Sequence, residues 1–173
     1  MLGYETLAFH GFTGMLEFED VTVIGNDLFN STRNGRLDRP VVPDPEATEV
    51  NQARVRYQGV DGLTVDVGRR ELEFDNGRFI GPAPFRQNHQ SYDAVVLDFD
   101  GLEQLEAYYS YVGNVNRVSG DLPAVPEIDV LDGNARMDSH LVNACYGIEG
   151  VGRASGYLYY IDCENIPVFS TST

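Results

Sequence analysis

Ala94-Val95-Val96-Leu97-Asp98-Phe99-Asp100-Gly101 is the stretch best suited to chemistry: an apolar run that ends in two carboxylates one residue apart, then a glycine. A carboxylate at a strand end can attack phosphorus, and a second beside it can carry the leaving group's proton while a divalent cation neutralises charge. Together with Glu103, the same acids could form a loose calcium surface site, although the loop spacing of an EF-hand is absent. Other motifs are fragments. Gly150-Val151-Gly152-Arg153-Ala154-Ser155 imitates part of a dinucleotide-binding turn but has Ser at the third glycine position. His10, His89 and His140 show no metal-ligand spacing, and no G-x-S-x-G elbow supplies a serine nucleophile. Cys145 and Cys163 are too few for a zinc site or a disulfide framework, and no spacing argument decides whether they bond. Asn30-Ser31-Thr32 is a sequon with meaning only in a secreted chain.

The D-x-D-G run resembles the first motif of the haloacid dehalogenase-like phosphatases. That resemblance implies nucleophilic attack by Asp98, proton shuttling by Asp100 and a magnesium ion. The chain departs from the pattern in three ways. Leu102 stands where that family has Thr or Val, no Lys exists to bind phosphate, and the motif sits past the midpoint of a β-patterned chain. The expectation is therefore that the chain is not an enzyme and uses no catalytic residue, metal or cofactor.

The elements that would position any site follow from length, charge and periodicity. The 173 residues suffice for one domain with a substantial core. A net charge of -15, with every basic residue an Arg, repels nucleic acid and anionic lipid at long range. No apolar run is long enough for a membrane helix, and Met-Leu-Gly-Tyr-Glu is not the start expected of a secretory leader.

The dominant period is two. Ala53, Val55 and Tyr57 alternate with Arg54 and Arg56, and Leu63, Val65 and Val67 alternate with Thr64 and Asp66. This predicts strands with the apolar face on a core and the charged face in water. Leu16 and Phe18 start a pattern that slips phase at Glu19-Asp20, which predicts a bulge. Asn76-Gly77 predicts a hairpin turn between runs at Leu72-Phe74 and Phe79-Ile80. Further strands are expected over residues 94–99, 127–131, 141–146, 157–162 and 166–169. Asp100 to Tyr111 reads as a helical turn followed by a strand, or as strand throughout. The predicted fold is all-β: one jelly-roll barrel or sandwich with long crossing loops and at most one short helix.

Irregular segments at 25–49, 81–91 and 119–126 are longer than a compact domain needs, which predicts that they bind or interlock. Residues 1–14 are expected to be an N-terminal arm, and the Pro-rich 39–45 run pre-sets extended backbone within the first loop. Phe9, Phe12, Val41, Val42 and Phe85 are accordingly the candidate subunit-interface residues. Clustered Tyr residues, at 108, 109, 111 and at 157, 159, 160, suit protein or carbohydrate surfaces.

In size, strand succession, Lys-free acidic composition and the Arg39 to Pro45 loop, the chain resembles a small single-jelly-roll major capsid protein. The type is that of membrane-containing icosahedral viruses built from upright single β-barrels, the sphaerolipovirus-like kind. The resemblance implies a structural shell subunit that self-associates and pairs with a second, larger capsid protein over a viral membrane. It also implies assembly in the host cytoplasm, residence in the virion and no catalysis. The rival from another class is a β-sandwich module that binds carbohydrate or protein through Tyr-lined loops; the phosphatase is third.

Overall fold

The period-two segments form eight strands: β1 (Leu2–Glu5), β2 (Phe12–Val21), β3 (Ala47–Val60), β4 (Leu63–Arg70), β5 (Ser91–Leu102), β6 (Leu105–Asn116), β7 (Asn134–Ile148) and β8 (Gly152–Tyr160). These come from a computed structural model that describes residues 1–26, 28–74, 77, 79–120 and 133–165. All pairings are antiparallel, in one sheet whose order is the chain order. The all-β class is as expected, and no helix occurs among the described residues. The connectivity is a meander in chain order, consistent with a single-domain β-sandwich or barrel. Of the long segments, 71–90 packs on the sheet and 22–46 packs on that loop.

Several local expectations change with this topology. Residues 1–14 are no free arm: β1 is the edge strand beside β2, joined through Phe9-His10-Gly11-Phe12. Phe9 and Phe12 exchange backbone hydrogen bonds at 2.8 and 2.9 Å, and both residues between them have positive φ (50° and 83°). That is a type I′ turn, whose twist matches the flanking strands and whose second position glycine fills without strain. Asp100 to Glu103 contains no helix: β5 runs to Leu102 and turns at Glu103-Gln104 into β6. The bulge lies between Glu17 and Phe18, two residues before the expected place, with Asn51 of β3 as the extra residue. Of the Asn76-Gly77 hairpin, Asn76 lies outside the described residues. Phe74 N–H donates to Ile80 C=O at 3.1 Å, yet neither residue belongs to a strand. The strands expected at 127–131 and 166–169 also lie outside the described residues.

Successive residues of a strand face opposite sides of the sheet. On one side, Tyr92, Ala94 and Val96 of β5, Val112 of β6 and Leu141 of β7 are buried beneath Leu72, Phe74 and Ile80. Those three come from the irregular segment 71–90 that follows β4, so a loop rather than a second sheet closes the core. Tyr92 is held in place at its hydroxyl, which donates to Gly81 C=O at 3.0 Å and accepts from Gln90 Nε2 at 2.6 Å. The segment 22–46 lies against the same loop. Asn88 Nδ2 donates to Pro45 C=O at 2.8 Å, and Gln87 N–H donates to Asp44 Oδ1 at 3.2 Å.

The other side carries most of the predicted core residues, and nothing covers them among the described residues. Cross-strand register aligns Val55, Val67, Val95, Tyr111, His140 and Tyr160 in one row. The next row is Phe12, Tyr57, Val65, Leu97, Tyr109, Val142 and Leu158. The expected orientation of β3 and β4 is therefore reversed. Their charged face, with Arg54, Arg56 and Asp66, points to the loop-covered side, while Val55 and Val67 are half exposed.

Candidate functional site

The D-x-D-G stretch occupies the end of β5 and its turn. Asp98 pairs across to Thr64 and Tyr108, and Asp100 donates its N–H to Gly62 C=O at 3.0 Å. Burial, then the neighbouring charge of Asp100, pushes the Asp98 carboxyl above its ordinary range. Its strand lies between two antiparallel neighbours, so the parallel α/β crevice that would present such a motif to a phosphate is not the local architecture. Gly150 and Gly152 both have positive φ and serve the turn from β7 into β8. Cys145 and Cys163 are free thiols.

The five candidate interface residues are all exposed, and they divide into two groups. Phe9 and Phe12 flank the I′ turn; Phe12 packs its ring on Tyr57 at 4.6 Å between centroids and continues the open apolar face. Val41 and Val42 lie in the segment 22–46, where Val41 bridges to Asn30 and Val42 N–H donates to Asn30 C=O at 2.9 Å. Phe85 projects from the loop 71–90 beneath the Arg86 guanidinium, 5.2 Å from the ring centroid. Arg86 pairs with Asp44 at 3.7 Å, which joins the loops that carry Phe85, Val41 and Val42.

Three clusters escaped the sequence reading. The first surrounds Asp66, which is only 2% exposed and accepts hydrogen bonds from Arg54 (3.0 Å), Arg56 (3.1 and 3.2 Å) and Arg70 (2.6 Å). Burial alone would raise its pKa, but the three guanidiniums prevail and hold it below the ordinary carboxylate range. The second lies where β2 and β3 meet the loop: Asn51 Nδ2 donates to Glu17 and Glu71 at 2.9 Å each, and His89 Nδ1 pairs with Glu71 at 2.7 Å. Glu19 accepts the His89 N–H at 3.0 Å with one oxygen and leaves the other buried without a partner. Desolvation raises its pKa despite that bond.

The third cluster is aromatic and sits on the open face. His140 is hydrogen-bonded through Nδ1 to the Tyr109 hydroxyl at 2.9 Å, with the rings of Tyr111 and Tyr160 at 5.3 and 6.3 Å. The charge of Asp138 beside Tyr111 raises that phenol's pKa. Toward β1 the same face holds a shallow depression of about 360 Å³ between Tyr4, Leu16, Val55 and Val67. No family model, curated protein or solved structure matches the chain. Among the described residues, no three His, Cys, Asp or Glu side chains are grouped to hold a metal ion.

Taken by geometry, the open face is the largest organised feature that the fold leaves unused. One row spans β3 to β8 and the next β2 to β8, and neither holds Asp, Glu or Arg, His140 standing among aliphatic and aromatic members. A third row, Leu63, Phe99, Ala107, Ala144 and Gly156, is likewise uncharged. Charge begins at the margin, where Arg69 pairs with Asp93 at 2.8 Å. Contiguous apolar surface on this scale marks a place of association. The alternating pattern would have revealed these residues as a set, but nothing in it said that the set faces outward.

Proposed function

We propose that this chain is a structural subunit that acts by associating with other protein chains, and that its assembly is a shell of the capsid kind. In that reading it builds an icosahedral virion with copies of itself and a second, larger capsid protein, over a membrane, without touching nucleic acid. The observation that carries it is the uncharged sheet face from β2 to β8 in a chain of net charge -15. A soluble domain that worked alone would expose that area to water at a cost of ~25 cal/mol per Å² of apolar surface.

Two measurements test the proposal. Light scattering across a hundredfold range of concentration should give a mass above one chain that rises with concentration. Electron microscopy of particles purified from the source should find this chain in an ordered shell. A concentration-independent monomer overturns the subunit reading; an assembly that is not a shell overturns the capsid part alone.

A second reading rests on the Tyr109, Tyr111, His140 and Tyr160 platform. Exposed aromatic rings with hydroxyl and imidazole donors at their rim suit the apolar face and hydroxyls of a neutral sugar. Calorimetric titration with neutral oligosaccharides checks it: saturable binding lost in Tyr111→Ala and Tyr160→Ala would favour a carbohydrate-binding module over a shell subunit.

A further inference from the structure

Resting on the subunit reading, we infer that the occupant of the open face is a second copy of the same face, packed sheet on sheet about a two-fold axis. Three observations lead there.

Area comes first. Seven strands at about 4.8 Å spacing and five residues at about 3.4 Å rise make a field of roughly 34 by 17 Å. That is roughly 600 Å² in projection, and the relief of the side chains brings its accessible area near the ~800 Å² each partner gives to a standard interface. Charge comes second. Two chains of net charge -15 repel, so a stable contact between copies requires a patch from which acidic groups are excluded. The three rows themselves carry no Asp or Glu, and one carboxylate, that of Asp138, borders them beside Tyr111 and His140. Away from that border they offer an apolar partner its own equivalent.

Shape is the third. A sheet with valines on adjacent strands, and no insertion over it among the described residues, presents the regular surface that aligned sheet packing needs, at a separation of about 10 Å. β5 is the middle of the seven strands from β2 to β8, so a two-fold axis through the centre of the field passes close to Val95 and Leu97. Those residues then meet their own counterparts. Their neighbour in sequence, Val96, is 1% exposed on the covered side, whereas Val95 is 38% exposed. The aromatic platform at β6 to β8 falls across from the β2 to β4 end of the partner, where the depression beside Tyr4 and Leu16 lies.

Self-contact at an axis has a signature that a general loss of hydrophobicity lacks. Val95→Glu should weaken self-association about a hundredfold or more, because two like charges are brought together in a desolvated centre. Val95→Arg should do the same alone. Mixed in equal amounts, the two variants should recombine into a heterodimer, detected by sedimentation or native mass spectrometry. Circular dichroism checks that each variant stays folded; should either unfold, Val95→Cys with a short bismaleimide replaces it and should yield covalent dimer above the wild-type background. If the wild-type chain associates but Val95→Glu keeps the same mass, or the cysteine gives no added dimer, the two-fold model fails while the subunit reading stands. If the wild-type chain is monomeric at every concentration, both fail.

Discussion

On β4, Asp66 is 2% exposed while Val67, the next residue, is half exposed; on β5, Val96 is buried and Val95 is open to water. The two faces of this sheet thus divide polar and apolar residues differently along its width. Across β5 to β7 the covered face carries the hydrophobic core, with Tyr92, Ala94, Val96, Val112 and Leu141 closed over by Leu72, Phe74 and Ile80. Across β3 and β4 the same face is an ion cluster, with three arginines on one aspartate. The opposite face is apolar over three cross-strand rows, with Arg69, Asp93 and Asp138 at their margin. A buried ion cluster beside an exposed valine field inverts the usual economy of a free-standing domain, in which water takes the charges. The difference teaches that the covered side of β3 and β4 is held by electrostatics, while the valines of the same strands stand on the open side.

The sharpest way to break this comparison is at Asp66. Asp66→Asn leaves three guanidiniums without their anion, and breaking a buried pair by removing one partner costs about 3–5 kcal/mol. Urea unfolding should show a loss of that size; a loss under about 1 kcal/mol would mean that water already reaches the arginines. Next is the aliphatic half. Leu72→Ala truncates a leucine of the loop that is 2% exposed and should cost about 3 kcal/mol by the same measurement.

Acid separates the two electrostatic environments, and the sign differs for each. Asp66 and Asp93 have folded pKa values held below their ordinary 3.8, so their stabilisation is present above that value and lost as pH falls below it. Glu19 has a folded pKa raised above 4.5 by burial, so its contribution is present at low pH and lost as pH rises through the raised value. Thermal melts should therefore show stability rising as pH falls through the raised Glu19 value toward 4.5, then dropping below 3.8 as Asp66 and Asp93 take up protons. Glu19→Gln should flatten the rise, and Asp66→Asn the collapse. The smallest effect belongs to the open face: Val67→Thr, measured on dilute chain, should change stability by no more than about 0.5 kcal/mol, since the side chain is half in water already.

Strand positions were legible because alternation marks them whichever way they face. Val55, Val67 and Val95 were recognisable as one apolar set. The side on which the core lies was not, since a period of two is symmetric between inside and outside. The deciding fact is the position of Asp66 relative to Arg54, Arg56 and Arg70, a tertiary pairing of residues that each look solvated when read alone. Leu72, Phe74 and Ile80 were visible as apolar but were read as hairpin strands around Asn76-Gly77, because turn chemistry does not distinguish a ladder from an irregular cover. Of the five interface candidates, Phe12 is selected by the sequence as part of an arm, yet it stands in β2 on the open face. The aromatic platform was missed because Tyr109, Tyr111, His140 and Tyr160 come from three strands, and only the register brings them together.

Because every strand bonds to its neighbour in the chain, the sheet can grow as a series of hairpins, each closing a short loop before the next is needed. The β3–β4 and β5–β6 pairs, joined by turns at Asp61-Gly62 and Glu103-Gln104, are the natural first events. Segments 22–46 and 71–90 have to close much longer loops, and they contact each other as well as the sheet, so their docking comes late. A chain still emerging from synthesis would thus form its valine field before its own cover is in place. Under the proposed self-association, order of events would matter as much as final geometry: the apolar surface would form ahead of the fold's own lid, and crowding at that stage would favour pairing between nascent copies.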